Sequence, residues 1–414
     1  MIYCKRCLYP ANHPLGLAFD AEGICTGCRV HEEKDGLDWT ARGARLARLF
    51  DRHRDRTGSR YDCVVPVSGG KDSFFIVDTV KRAGLNPLLV TVNRHYNTYA
   101  GIFNLEQLRT QAGCDILTLT LKPDSYRRLV AFSLRRLGSI HWPYLAASTV
   151  FPVQVAVARR IPLIVWGAHQ GLEQVGMFSH RDEVEMTRRY RKEHDLMGLE
   201  PEDAVDDADG VSEGDLAPLF YPQDRALAAI GVHGIYLGNY IRWDPKAQHE
   251  AMLARYDYCV APQLRTFDTY ADVDCQIHSA LHDAIKMRKW GYGKVTDHAC
   301  REIRHGRLTR DQGIALVRRY GAAGEGDAAG FAAWLGMTEQ DFWRPVDARR
   351  DPAIWSQDAG AVWRLSDCVV PAVPAAGEAE APPPAAAFRT NVPERMAKAP
   401  FDGQLLMRGW APLP

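Results

Sequence analysis

Ser68-Gly69-Gly70-Lys71-Asp72-Ser73 carries the residue types that hold a phosphate group. It follows an apolar run, Cys63-Val64-Val65-Pro66-Val67, and precedes the helix-like stretch Phe74–Arg82. Strand, glycine turn and helix in that order aim backbone N–H groups and the positive end of a helix at an anion. Two adjacent glycines admit positive φ and leave no Cβ between a phosphate and the backbone. Ser68 and Ser73 add hydroxyls, Lys71 adds a cation, and Asp72 is a carboxylate able to hold Mg²⁺ or cap the helix. The spacing is not that of a G-x-x-x-x-G-K-[ST] loop. A serine-capped Gly-Gly turn is the bland alternative, but six suitable residues in order after a β-type run favour nucleotide binding.

Cys4-Lys5-Arg6-Cys7 and Cys25-Thr26-Gly27-Cys28 form a C-x₂-C-x₁₇-C-x₂-C pattern, a spacing that suits zinc. Two knuckles supply four thiolates for a closed tetrahedral site, with Gly23 and Gly27 giving the second knuckle its backbone freedom. Structural zinc is preferred to two redox dithiols or an iron–sulfur cluster, because thiolates fill every position and leave none for catalysis. The other cysteines, Cys63, Cys114, Cys259, Cys275, Cys300 and Cys368, are scattered and read as core or incidental thiols. A third constellation, Lys286-Met287-Arg288-Lys289-Trp290-Gly291-Tyr292-Gly293-Lys294, sets four cations and two aromatics around two glycines. It reads equally as a phosphate- or sugar-binding corner and as an exposed basic helix end.

The elements that must position these groups alternate. Strands are expected at Asp62–Val67, Pro87–Val92, Asp115–Leu121, Pro162–Trp166 and Gly234–Leu237. Helices are expected to Ala83, near Asn104–Gln111, and over Asp124–Leu137 and Ser148–Arg159. That rhythm predicts an α/β fold, a Rossmann-like doubly wound parallel sheet with helices on both faces. Ligands then lie at the carboxyl ends of the strands, which puts Ser68–Ser73, Asn93 and Gly167 along one edge. Residues 1–35 form the cysteine ribbon and 36–60 a connecting Arg-rich helix, read as a solvated basic face rather than a nucleic-acid stripe. Residues 61–245 form the α/β domain, 246–365 a helical region, and 366–414 a Pro/Ala-rich linker and tail. Between 171 and 221 the rhythm is lost, and a surface insertion and a substrate-facing lid stand level.

Lys plus Arg equals Asp plus Glu, 51 each, so no global basic surface points to nucleic acid. No apolar run approaches the ~20 residues of a membrane span, and no signal-peptide h-region is evident, so a cytoplasmic location is expected.

The ribbon ahead of SGGKDS, with Asp38-Trp39, the Tyr61–Ser73 block and the Lys286–Asp311 block, resembles the N-acetyl sugar amidotransferases. These are PP-loop ATP pyrophosphatases of surface-polysaccharide biosynthesis, and the resemblance runs from Cys4 to about Trp355. It implies a PP-loop (adenine nucleotide alpha hydrolase type) domain that uses ATP and Mg²⁺ to turn an acetamido group into an acetamidino group, releasing AMP and pyrophosphate. It implies that Ser68, Gly69, Gly70 and Ser73 cradle phosphate, that Lys71 and Asp72 are catalytic, and that Asn93 and Gly167 line the nucleotide. Ala168-His169-Gln170 departs from the family's Gly-Glu-Asn type of sequence, and Glu173 is expected to take the missing acidic role. Lys286, Lys289, Tyr292 and Lys294 are the candidate contacts to the acetamido sugar. Ile2 rather than cysteine follows Met1 and every segment is already assigned, so ammonia is expected from a separate glutaminase, like that of histidine biosynthesis. The rivals are a PP-loop tRNA thiolase, disfavoured because both C-x-x-C pairs sit in the ribbon, and a nucleotide-sensing scaffold, disfavoured by the complete loop.

Overall fold

The computed structural model of the chain describes residues 1–205, 210–321 and 326–369. The linker and tail expected at 366–414 lie, beyond 369, outside the described residues.

Five parallel strands form the central sheet: β1 (Cys63–Pro66), β2 (Pro87–Val92), β3 (Ile116–Leu119), β4 (Leu163–Trp166) and β5 (His233–Tyr236), in the order β3-β2-β1-β4-β5. Val64 pairs with Leu88 on one side and Ile164 on the other, so β1 is central. The chain leaves β1 toward β3, then returns to add β4 and β5, which makes the gap between β1 and β4 the switch point where ligands bind in such sheets. Alternation along β1 explains the layers. Cys63 and Val65 pack in one apolar cluster with Phe74 and Val77, while Val64 packs with Val153 and Ala156 on the opposite face.

Helices α3 (Lys71–Arg82), α4 (Tyr99–Ala112), α5 (Pro123–Leu137) and α6 (Trp142–Arg159) link the first four strands. Before them come α1 (Thr26–Glu33) and α2 (Trp39–His53). Asp38 caps α2 by accepting the Ala41 N–H at 2.9 Å, and Leu46, Leu49 and Phe50 are buried. One correction falls on its basic face. Arg42 is buried, donating to the Asn239 carbonyl at 2.6 Å and the His180 carbonyl at 2.8 Å, while Arg45, Arg48 and Arg52 stay exposed.

The described residues of the stretch 171–221 hold only short turns of helix, among them α7 (Arg188–Tyr190) and α8 (Glu213–Leu216). It is not a superficial insertion. Arg191 is wholly buried and donates to Thr149 Oγ1, at 2.9 Å, and to the Ala146 and Leu219 carbonyls, while Leu196, Leu216 and Leu219 join the core built on α5 and α6. Glu185 ties the same stretch to β5, accepting the Tyr236 N–H at 2.6 Å and the Tyr240 hydroxyl at 3.0 Å. Burial pushes its carboxyl up to about 7. The folded chain therefore holds this proton more tightly than the unfolded chain does, and stability falls as pH rises from about 4.5 to about 7. Glu185→Gln is expected to leave the melting temperature near that of the wild type at pH 4.5 and to raise it by a few degrees at pH 8. An equal shift at both pH values, measured by calorimetry, would contradict this.

Helix α9 (Asp224–Ile230) precedes β5, and after that strand come α10 (Pro245–Leu253), α11 (Gln276–Trp290), α12 (Lys294–Arg304), α13 (Arg310–Tyr320), α14 (Ala328–Leu335) and α15 (Glu339–Asp347). A short hairpin, β6 (Trp355–Gln357) with β7 (Trp363–Leu365), departs from the all-helical expectation there. Nor is this region a separate body. Tyr258, Val260 and Tyr270 lie in the α/β core, and Phe267, Tyr292, Val295 and Ala299 share a core with the ribbon's Leu8 and Tyr9.

Candidate active site

The Ser68–Ser73 loop leaves the carboxyl end of β1 and becomes α3. It is folded on itself: the Ser68 N–H donates to Ser73 Oγ at 2.8 Å and the Gly70 N–H to Ser68 Oγ at 3.1 Å. Gly70 is the N-cap of α3 at φ −92°, and no side chain caps the helix. Ser73 N–H already donates to the Gly70 carbonyl at 3.2 Å, which leaves the Lys71 and Asp72 N–H groups for an outside acceptor.

The expected positive φ is corrected at both glycines, neither of which lies in the left-handed region. Gly69 is required by packing instead, since a Cβ there would stand 2.7 Å from Gly101 Cα. A Cβ on Gly101 would in turn stand 2.6 Å from Asp274 Cα, so three backbones are stacked with no room for side chains. Asn104, buried in α4, fastens the stack by donating to the Gly69 carbonyl at 2.9 Å and the Cys259 carbonyl at 2.8 Å. Gly69→Ala is expected to cost about 1–3 kcal/mol, because the obstructing atoms are backbone. Thermal unfolding checks this, and a neutral Gly69→Ala would remove the packing argument.

Lys71 is buried, its side chain 8 % exposed, with Nζ 2.8 Å from Asp72 Oδ1 and 5.5 Å from the centre of the Tyr270 ring. Asp72 is 42 % exposed. A buried ammonium and an uncapped helix end suit a phosphate group, and Asp72 is the half-exposed carboxylate beside them.

Asn93 and Gly167 follow β2 and β4, the parallel neighbours of β1, and so lie with the loop along the expected edge. At the end of β2, Asn93 Oδ1 accepts the His95 N–H at 2.9 Å and the Asn97 amide at 2.8 Å, so it shapes its own turn. A Cβ at Gly167 would meet Ile76 Cδ1 at 2.8 Å and Trp243 at 3.2 Å, so a glycine is needed there for close packing on those two side chains. Glu173 is paired with the buried Lys34 at 2.6 Å, which ties a π-helical turn after β4 to the segment following α1. His169 is buried with no hydrogen-bond partner on either ring nitrogen, held among Phe178, Tyr190 and Tyr236.

The Lys286–Lys294 block disperses. Lys286 pairs with Asp297 and lies over the buried Tyr292 ring at 4.3 Å, on the ribbon side, where Tyr9 also donates to Asp297 at 2.9 Å. Lys289 turns to the end of α5, donating to the Gly138 carbonyl at 3.2 Å, and burial pushes its ammonium down to about 8. Trp290-Gly291-Tyr292-Gly293 lines a cavity of about 230 Å³ walled by Leu8, Val295, Val317 and Ile354. Its apolar walls do not suit a phosphate corner. Only Lys294 reaches toward the loop's neighbourhood, 3.2 Å from Asp272.

The structure adds residues that carried no periodicity or motif in the sequence. Three alternate residues between α10 and α11 each meet a cation from a different element. Tyr270 meets Lys71, Asp272 meets Lys294, and Asp274 meets Arg94 at 3.1 Å. Arg94, at the end of β2, also donates to the Tyr144 hydroxyl at 2.8 Å.

Cys4, Cys7, Cys25 and Cys28 are all buried, with their sulfurs within 4.8 Å of one another. The Cys4–Cys28 and Cys7–Cys25 separations are 4.0 and 3.6 Å, near the ~3.8 Å edge of a tetrahedron with metal–sulfur bonds of about 2.3 Å. Cys4 Sγ accepts the Cys7 and Cys25 N–H groups at 3.4 and 3.3 Å. All four thiols share one cluster, which fits a single tetrahedral metal rather than two dithiols.

Among the described residues no helix is long and apolar enough to cross a membrane. No curated protein sequence matches the chain. A solved structure of NMN synthetase from Francisella tularensis aligns with 55 % of this chain and 99 % of its own, at 13 % identity and a TM-score of 0.27. Residues 264–368, from the Tyr270–Asp274 segment through α15 and the hairpin, match the family model of the C-terminal domain of WbpG-like lipopolysaccharide biosynthesis proteins, in accord with the resemblance to the N-acetyl sugar amidotransferases.

Proposed function

We propose that this chain is an ATP-dependent amidotransferase that converts the acetamido group of an N-acetylated, nucleotide-linked sugar into an acetamidino group. The observation that carries the reading is a buried ammonium, Lys71, at the uncapped start of α3 on the switch-point edge of the sheet. That edge is joined to a region similar to a polysaccharide-biosynthesis domain.

The chemistry explains why such a site is useful. An amide oxygen is a poor leaving group. Its attack on the α-phosphorus of ATP expels pyrophosphate and leaves an O-adenylated imidate. Ammonia adds to that carbon, and loss of AMP gives the amidine. Lys71 and the first-turn N–H groups of α3 stabilise the charge that gathers on phosphate oxygens, where preorganised donors act most strongly. Mg²⁺ held at Asp72 would supply further neutralisation of the leaving pyrophosphate. Zinc in the four-cysteine cluster would be structural, and ammonia would come from a separate glutaminase. A thiolase reading gains no support, since both C-x-x-C pairs belong to one cluster.

The test is mass spectrometry of UDP- and CMP-linked acetamido sugars incubated with ATP, Mg²⁺ and ammonium or glutamine. The expected product has O replaced by NH, forms with ammonium and not with glutamine, and appears in step with AMP. AMP release without any amidine from these sugars would refute the substrate assignment.

A further inference from the structure

Lys71 and Lys294 share an unusual arrangement. Each is a buried ammonium, 8 % and 9 % exposed, whose carboxylate partner reaches solvent: Asp72 at 42 % and Asp272 at 58 %. An ammonium removed from water needs a counter-ion, yet a structural pair would bury both members. Asp272 is also held at φ +55°, a backbone region that non-glycine residues rarely adopt. Protein nevertheless surrounds it: Lys294 first, then His298 and Arg94, hold its carboxyl below the usual range against the effect of desolvation. Asp272 is thus an exposed carboxylate whose cationic partner is buried.

Among the described residues, Asp272 is the carboxylate that pairs with Lys294 Nζ. Nζ has Asp272 Oδ2 at 3.2 Å and Gln263 Oε1 at 3.5 Å. Asp283 is spent elsewhere, pairing with Arg265 at 2.6 Å and accepting the Lys294 N–H. Arg301 takes Asp268 at 2.7 Å and the Tyr270 hydroxyl at 2.9 Å. His298, hydrogen-bonded to Thr266 Oγ1 at 2.7 Å, is held neutral by burial, its pKa pushed down to about 4. Tyr270, two residues before Asp272, lies against Lys71, so this second ammonium opens beside the loop assigned to ATP.

We propose that Asp272 is an exchangeable counter-ion of Lys294, and that an anionic group of the acceptor sugar, a phosphate or a carboxylate, displaces it and is bound by Lys294 and Gln263. This rests on the amidotransferase reading for the word acceptor, but the anion site itself does not. Asp272 keeps the ammonium paired in the free protein and swings out into solvent when the substrate's charge arrives. An uncharged N-acetyl sugar cannot make that exchange, so the pair selects acidic acceptors.

Calorimetric titration tests this with three probes on the full chain: UDP-N-acetylglucosamine for phosphate, N-acetylneuraminate for carboxylate, and neutral N-acetylglucosamine. Lys294→Met is expected to weaken the favoured acidic probe by about 30-fold or more, the cost of losing one partner of a buried charge pair. Asp272→Asn, which removes the competitor and keeps the shape, is expected to tighten the same probe, and the neutral sugar should bind weakly to every variant. ATP affinity should be unchanged in both. Which acidic probe responds distinguishes a nucleotide-linked sugar from a sugar acid. Weaker acid binding in Asp272→Asn, no effect of Lys294→Met, or no acidic probe bound by a wild-type chain that binds ATP would each overturn the proposal. Acid binding that follows the expected pattern in a chain without amidine formation would instead remove the reaction and leave the anion site standing.

Discussion

Lys71→Ala is expected to lower AMP formation by at least about 100- to 1,000-fold, the loss that follows removal of one preorganised charge-stabilising group. The ammonium is buried against Tyr270 and next to Asp72, so it cannot be replaced by solvent without opening the loop. Two effects add. The phosphate oxygens lose a cation exactly where charge accumulates in a water-poor site, and Asp72 is left beside an incoming anion with no partner. Lys71→Arg is the informative companion. It keeps the charge, but a planar fork does not fit a space shaped for a compact ammonium, so partial activity is expected. Both variants should keep their metal content and cooperative unfolding, because the Ser68–Ser73 hydrogen bonds and the Gly69–Gly101 packing do not involve the Lys71 side chain. Pyrophosphate release coupled to AMP detection checks the rates. A folded Lys71→Ala chain with near wild-type turnover would mean that the nucleotide binds elsewhere.

Stripping metal from the cysteine cluster is expected to be the most destabilising change outside the sheet. Closure of such a site contributes about 10–16 kcal/mol in small zinc domains, and here it also anchors a shared core. Leu8, Tyr9, Leu17 and Ile24 of the ribbon pack with Val295, Ala299 and Leu316 of α12 and α13. Arg304 of α12 lies 3.7 Å from Cys25 Sγ and donates to the Glu173 and Gln174 carbonyls at 3.0 and 2.8 Å. Loss of the metal should therefore loosen α12 and, with it, Lys294. The expected result is one zinc per chain by elemental analysis, and a melting temperature lowered by well over ten degrees after chelation. Hydrogen exchange should show new opening in α12 and little in β1 and β2. A visible absorption band with iron in place of zinc would replace the metal but keep the structural role. Unchanged unfolding in the metal-free chain would end it.

Much of the sheet was legible because its strands are short apolar runs bounded by turn residues. Pro87–Val92 coincides with β2, and Asp62–Val67 brackets β1. Helix starts were less legible. α4 begins at Tyr99 rather than near Asn104 because Thr98 caps it, accepting the Gly101 N–H at 2.9 Å. α6 begins at Trp142, with Pro143 in its first turn, and carries Pro152 inside, a residue that argues against helix on local grounds but is buried here. At the site, the loop's place was readable and the reason for its glycines was not: Gly69 answers to Gly101, and that contact has no local signature. The Lys286–Lys294 block shows the converse. Its composition looks like one basic corner, yet helical geometry sends Lys286, Lys289 and Lys294 to three different neighbours. Tyr270, Asp272 and Asp274 were invisible because their partners come from α3, α12 and β2, which only the fold brings together.

The ribbon's partners have a cost in time. The Leu8 N–H donates to Cys300 Sγ across 292 residues of chain, Asn12 reaches Asp351 across 339, and the terminal ammonium of Met1 pairs with Asp367. At about 5–20 residues per second, a nascent ribbon waits on the order of 15–60 s for Cys300 to be made. During that interval Leu8, Tyr9 and Leu17, buried in the finished protein, have nothing to cover them. Early metal capture would hold the knuckles closed and limit that exposure to one small apolar face. Zinc-starved synthesis should then yield aggregated rather than merely inactive chain, and adding zinc after release should rescue little of it.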